Sequence, residues 1–209
     1  MNTEIFEVIR KIRLMPVIKL TKVEDALKLA DALEEGNLPI AEVTYRTNCA
    51  SEAIKLISKK KKNILVGAGT VLTIAQAKEA IESGAKYIVT PGFNDEIVDF
   101  AISVGVPIIP GVTTPTEVEM ALKRNLKVLK FFPAEASGGI EKLKALGAVY
   151  DVKFVPTGGI GLKNLKDYLS LANVLACGGS WMVNPSLIEE GAFDQIVKLT
   201  KEATALALA

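Results

Sequence analysis

Residues 63–92 read NILVGAGTVLTIAQAKEAIESGAKYIVTPG, and this stretch decides the fold class. NILVGAGT, from Asn63, is a short apolar run that closes on turn residues, as a buried strand does. IAQAKEAIESGA, from Ile74, has helical periodicity, with Thr73 placed as an N-cap and Gly84 as a stop. KYIVTPG, from Lys86, is again strand-like and ends at Pro91-Gly92. Strand, helix, strand within thirty or so residues is a βα repeat that favours parallel pairing.

The same pattern extends in both directions. Upstream lie LMPVIKL from Leu14 and PIAEVTYR from Pro39; downstream lie VPIIPG from Val106, LKVLKFF from Leu126, VKFVPTGG from Val152 and NVLACGGS from Asn173. VEDALKLADALEEG, from Val23, puts Ala26, Leu29, Ala30 and Leu33 on one helical face, with Gly36 as its expected stop. PTEVEMALKRN, from Pro115, opens with proline in the first turn, and Asn125 suits a left-handed close. Eight strand-like runs alternating with helices leave a closed barrel or an open doubly wound sheet. The first run lacks the glycine loop of a dinucleotide fold, and short, even units suit a barrel. The expectation is an α/β protein, a (β/α)₈ TIM barrel formed as a single domain over residues 1–209, with an extra N-terminal helix over the barrel bottom.

Composition narrows the chemistry. The chain has 25 Lys and Arg against 24 Asp and Glu, so nothing suggests a nucleic-acid or membrane-surface partner. The run Lys59–Lys62 is expected to be a solvated helix end, where cations meet the negative pole of the dipole. The N-terminal stretch MNTEIFEVIRKIR has helical spacing rather than the pattern of a signal peptide. Cys49 and Cys177, the two cysteines, suggest a reduced, cytoplasmic protein. There are 0 histidines, which excludes Ser-His-Asp and Cys-His catalysis and zinc sites with imidazole ligands. Carboxylates, lysines, tyrosines and cysteines remain for acid–base work.

In such a barrel the active site lies at the C-terminal strand ends. Side-chain alternation places Leu126, Val128 and Lys130 on one face and Leu129 and Phe131 on the other. The bulky residues suit the helix layer, which turns Lys130 inward. The same parity turns Glu42, Thr44 and Arg46 inward. A buried Lys–Glu pair is either an ion pair that fills the barrel or a reactive amine beside a base. Desolvation favours a neutral, nucleophilic amine, while an ionised carboxylate beside it opposes this.

Gly158-Gly159 and Gly178-Gly179-Ser180, at the last two strand ends, stand where barrels often build phosphate sites from backbone N–H groups; tight turns would need such glycines too. Arg46 is a candidate anchor for a carboxylate, with Thr70 as a second donor, although a surface arginine and a helix-capping threonine are the plainer readings. Pro91 and Thr157 end their runs beside these residues and join the candidate substrate contacts.

Six segments together carry a resemblance: EVTYRT (42–47), GAGTV (67–71), TPG (90–92), KFFPAE (130–135), PTGGI (156–160) and GGSW (178–181). In order and over nearly the whole chain, they resemble the bifunctional aldolases that act on 2-keto-3-deoxy-6-phosphogluconate and 4-hydroxy-2-oxoglutarate. KFFPAE and EVTYRT are the specific signals. The resemblance implies a Schiff base on Lys130 and proton transfer by Glu42. It implies that Arg46 and Thr70 hold the pyruvate part, and that Gly158, Gly159, Gly179 and Ser180 form the phosphate site. It also implies a cytoplasmic homotrimer that takes a small 2-keto acid and needs no metal or cofactor. Tyr45 stands where that family more often has leucine, and no function is assigned to it. A phosphosugar isomerase or epimerase on the same barrel is the alternative enzyme, and a sugar-phosphate sensor without turnover the alternative outside catalysis.

Overall fold

The computed structural model describes residues 3–209; Met1 and Asn2, which head the N-terminal stretch, lie outside the described residues. In chain order the elements are α1 (Thr3–Ile12), β1 (Leu14–Ile18), α2 (Asp25–Glu35), β2 (Ile40–Thr44), α3 (Ala50–Lys60), β3 (Leu65–Gly69) and α4 (Ile74–Glu82). They continue with β4 (Ile88–Val89), α5 (Asp95–Ser103), β5 (Ile108–Ile109), β6 (Gly111–Val112), α6 (Pro115–Leu122), β7 (Val128–Phe131) and α7 (Gly139–Gly147). The last are β8 (Lys153–Pro156), α8 (Leu165–Leu169), β9 (Cys177–Gly179), α9 (Pro185–Glu189) and α10 (Phe193–Leu208).

The paired strands run parallel, in two curled sheets ordered β5-β4-β3-β2-β1-β9 and β6-β7-β8. Two parallel bridges, Phe154 with Val174 and Thr157 with Gly178, connect β8 to the β9 segment. On the other side the sheets meet within one run, because Pro110 divides β5 from β6. Proline has no N–H to give a ladder, but its carbonyl accepts from Lys130 N at 2.9 Å. The chain thus passes from its pairing with β4 to its pairing with β7.

Strands covered on both faces read as continuous apolar runs, and every residue of β2 is buried. One face of β7 and β8 carries Leu129, Phe131 and Phe154, all fully buried. Phe131 and Phe154 meet edge to face, with centroids 6.3 Å apart. Lys130 alternates onto the opposite face, with Val128 and Val155. α2 buries Ala26, Leu29, Ala30 and Leu33.

The expected punctuation holds at most ends. Thr73 Oγ1 accepts from Gln76 N at 3.1 Å, Gly84 has φ 103°, and Asn125 has φ 58°. Two expectations change. α2 closes through Asn37, at φ 58°, while Gly36 keeps a right-handed φ of −75°. Gly36 is needed for space instead: a Cβ there would lie 2.4 Å from Thr200 on α10. The second concerns the lysine run. Lys61 is not a free, solvated end; its ammonium bridges Asp31 and, at 3.0 Å, Glu34, both on α2, and these hydrogen bonds push its pKa up.

Candidate active site

β2 and β7 lie across the interior from one another and aim Glu42 and Lys130 inward. Lys130 Nζ stands 3.4 Å from Glu42 Oε1, with the two residues only 5% and 2% exposed. That separation exceeds the roughly 2.7–3.2 Å of a strong N–H···O bond, so the contact is loose enough to exchange partners. The ammonium also lies 5.3 Å from the centroid of the Phe132 ring.

The room for Glu42 comes from β3. Glycine occupies both of its interior positions here, and the space is taken by neighbours. A Cβ on Gly69 would lie 2.3 Å from Glu42 Oε1, and one on Gly67 would lie 2.3 Å from the Tyr87 ring. Tyr87 is fully buried and donates to Ala41 O at 3.2 Å. Burial, and then the Glu42 carboxylate, push its hydroxyl pKa well up. The GAG of GAGTV marks these close approaches in the sequence, yet only the fold shows which side chains fill them.

A cavity of about 190 Å³ is lined by Arg46, Phe132, Thr157, the Gly158-Gly159 turn and the Gly179-Ser180 turn, and Phe132 links it to the amine. Its size suits a small acid or a phosphoryl group; drug-sized ligands occupy roughly 300 Å³ or more. Gly158 and Gly159 have φ 101° and 83°, which only glycine adopts without strain. Arg46 is anchored through Nε to Thr44 Oγ1 at 3.0 Å, and Thr44 in turn donates to Ile18 O at 2.7 Å. The Ser180 hydroxyl makes no capping bond to the turn at 181–183.

The sequence candidates therefore fall into groups. Lys130 and Glu42 meet directly. Arg46, Thr157, Gly158, Gly159, Gly179 and Ser180 share one cavity. Pro91 instead lines a separate hollow of about 270 Å³ with Val71, Thr90 and Phe93. Thr70 follows Gly69 directly, in a left-handed conformation at φ 55°; the cap of α4 is Thr73, not Thr70. Phe132, inside KFFPAE, carries no local signal of a role in the sequence, although it lines the cavity and faces the amine. A roomier hollow of about 460 Å³ lies away from this chemistry, where Lys55, Lys59, Lys61, Lys62 and Lys86 gather. It sits at the C-terminal ends of α3 and α4, where lysines offset helix dipoles.

A nearly dry amine beside a carboxylate, with a small hollow that holds an arginine and two glycine turns, is an arrangement suited to carbonyl chemistry through a lysine. An aldolase profile described as KDPG and KHG aldolase matches residues 5–199; KDPG abbreviates 2-keto-3-deoxy-6-phosphogluconate, and KHG 4-hydroxy-2-oxoglutarate. A 2-dehydro-3-deoxy-phosphogluconate aldolase of Treponema pallidum is 48% identical over 199 residues, covering 95% of each chain. The KDPG aldolase of Legionella pneumophila, solved with pyruvate captured as a covalent carbinolamine intermediate, has a TM-score of 0.92 at 39% identity, over 95% of this chain and 97% of that one. The KDPG aldolase of Zymomonas mobilis, solved with 3-phosphoglycerate, has a TM-score of 0.90 at 38% identity, over 99% of both chains. The chain belongs to the KDPG and KHG aldolase family and is a carbon–carbon lyase.

Proposed function

We propose that this enzyme cleaves 2-keto-3-deoxy-6-phosphogluconate to pyruvate and glyceraldehyde 3-phosphate, and 4-hydroxy-2-oxoglutarate to pyruvate and glyoxylate, through a Schiff base on Lys130. The observation that carries the reading is the buried 3.4 Å contact between Lys130 Nζ and Glu42 Oε1. Moving a proton across that contact yields a neutral amine and a neutral acid together. The amine adds to the C2 carbonyl, and Glu42 returns the proton to the departing hydroxyl, so water leaves and the iminium forms. The carboxylate then takes the proton of the C4 hydroxyl. The C3–C4 bond breaks, its electron pair flows into the iminium, and the aldehyde leaves behind an enamine. Glu42 protonates C3, and hydrolysis frees pyruvate and the lysine.

The remaining roles are those the family resemblance implies. Arg46, fixed through Thr44, offers its planar fork to the substrate carboxylate. Thr70 and Pro91 border the pyruvate part, Thr157 lies at the mouth, and Gly158, Gly159, Gly179 and Ser180 receive the phosphate through backbone N–H groups and a hydroxyl. The two curled sheets form one closed (β/α)₈ barrel, a single domain. In support, the bridges join β8 to β9, and the shared run at Pro110 joins the other edges. α1, which lies against β1 and α10, covers its lower end. The protein works as a cytoplasmic homotrimer on a small 2-keto acid. The isomerase and sensor alternatives rested on fold and ligand class alone, and family membership decides against them.

The test is pyruvate with borohydride, followed by intact mass and peptide mapping. One pyruvyl adduct on Lys130, lost in Lys130→Ala, is the expected result. An adduct elsewhere, or none under conditions where pyruvate binds, overturns the mechanism.

A further inference from the structure

The phosphate turn does not stand on its own glycines. Its backbone is tied to the segment just after the catalytic lysine strand: Ala134 N donates to Thr157 O at 2.8 Å, and Glu135 N donates to Gly158 O at 3.1 Å. The contact is close enough that a Cβ on Gly159 would lie 2.5 Å from Glu135 Cγ. Glu135 is therefore the floor beneath the turn. Its own carboxylate is held from the other side, where Tyr168 OH donates to Glu135 Oε1. Tyr168 is fully buried on α8, and burial followed by that hydrogen bond pushes its hydroxyl pKa up.

The residue just before that short helix holds the far end of the turn. Asn164, four residues before Tyr168, accepts from Gly161 N at 2.9 Å through Oδ1 and donates through Nδ2 to Gly159 O at 3.1 Å. Asn164 is the residue that precedes α8, and its carbonyl accepts from Tyr168 N at 3.2 Å. The start of α8 and its body thus each hold the turn, directly through Asn164 and through Glu135 by way of Tyr168.

We infer that Tyr168 and Glu135 are positioning residues for the phosphoryl end of the substrate, fixing the Gly158-Gly159 turn relative to Lys130 and so setting selectivity for phosphorylated over unphosphorylated keto acids. This rests on the proposed role of that turn. Neither side chain reaches the reacting atoms. Glu135 lies five residues past Lys130 on the same segment, so the tie also joins the phosphate end to the catalytic end.

Tyr168→Phe removes the donor and keeps the buried ring. Glu135→Gln keeps an acceptor oxygen, and Glu135→Leu removes it. Each variant is compared with the wild type in three measurements: calorimetric binding of glycerol 3-phosphate, the rate of borohydride trapping of pyruvate on Lys130, and KM and kcat for phosphorylated and unphosphorylated substrate. Tyr168→Phe and Glu135→Leu should weaken glycerol 3-phosphate about ten-fold, equivalent to ~1.4 kcal/mol. KM for the phosphorylated substrate should rise alike, while pyruvate trapping and the unphosphorylated substrate stay within about two-fold. Glu135→Gln should restore most of the binding. Equal losses on both substrates and on trapping would make the pair merely structural and overturn the inference, as would unchanged glycerol 3-phosphate binding in Tyr168→Phe. Failure of the aldolase reading is separable, because it would show as wild-type protein that neither traps pyruvate nor cleaves substrate, whereas the binding comparison needs no turnover.

Discussion

Replacing Gly69 with alanine adds one methyl group and tests the geometry of the proposed proton transfer. Gly69 lies outside the left-handed region, so alanine meets no backbone strain there. The obstacle is steric. Its Cβ would stand 2.3 Å from Glu42 Oε1 and 2.6 Å from Cγ. Carbon and oxygen without a bond between them settle near ~3.5 Å, so the Glu42 side chain must withdraw by about 1 Å. Because Cγ and the carboxyl carbon also clash, a rotation of the carboxylate alone does not relieve it, and the buried site offers little free space. A displacement of ~1 Å costs on the order of 100-fold in a positioned reaction, within the roughly 10²–10⁴ that a general acid–base contributes. The expected result, in an assay coupled to reduction of released pyruvate, is a kcat about 100-fold lower with KM little changed. Overpacking should cost about 1–3 kcal/mol, which lowers Tm by roughly 2–4 °C per kcal/mol in a chain of this size. Gly36→Ala is the control, since its Cβ would meet Thr200 at a similar 2.4 Å, far from the pair. It should lose comparable stability and keep kcat. Normal kcat in a folded Gly69→Ala enzyme would refute the claim that Glu42 must stay where it is.

Two further expectations concern stability. Phe131→Ala removes one ring of the buried edge-to-face pair with Phe154 and should cost about 3–5 kcal/mol, read by urea denaturation; a loss under 1 kcal/mol would mean that the site collapses to fill the void. Burial pushes the Cys177 thiol from about 9 up to about 12. Its raised folded pKa means stability that is present below pH 9 and lost as the pH climbs toward 12, on the order of 4 kcal/mol in all. Tm should therefore fall more steeply over that range in the wild type than in Cys177→Ala; parallel curves would show that the thiol does not titrate with folding.

Periodicity located every strand run, because burial on both faces leaves a continuous apolar signature that neighbours cannot erase. It overran most ends, since an apolar residue past the last ladder bond looks the same as one within it. The run from Asn173 yields only Cys177–Gly179 as strand, and the run from Val106 divides at Pro110. Alternation also placed Lys130 and Glu42 on inward faces, as the period of two is local to each strand. What stayed hidden depends on which side chain lies across the gap. Gly36 read as a helix stop and proved to be a clearance for Thr200, and the lysine run gave no sign that Lys61 reaches two carboxylates on α2. Glu135 and Tyr168 are 33 residues apart, and nothing local to either announces the other.

The contacts made around β3 have one physical origin. The inner face of a curled parallel sheet is ordinarily filled by branched apolar side chains, whereas β3 brings glycines to this one. A void there would be destabilising, so the neighbours fill it: Tyr87 over Gly67, and Glu42 over Gly69. Filling with a carboxylate requires a partner, because a lone buried charge is costly, and Lys130 provides it across the interior. The arrangement that keeps the core dense thus also holds an amine and a carboxylate out of water and within proton-transfer range. A substitution that enlarges β3 should therefore damage stability and chemistry together, while one on the Phe131 face should damage stability alone.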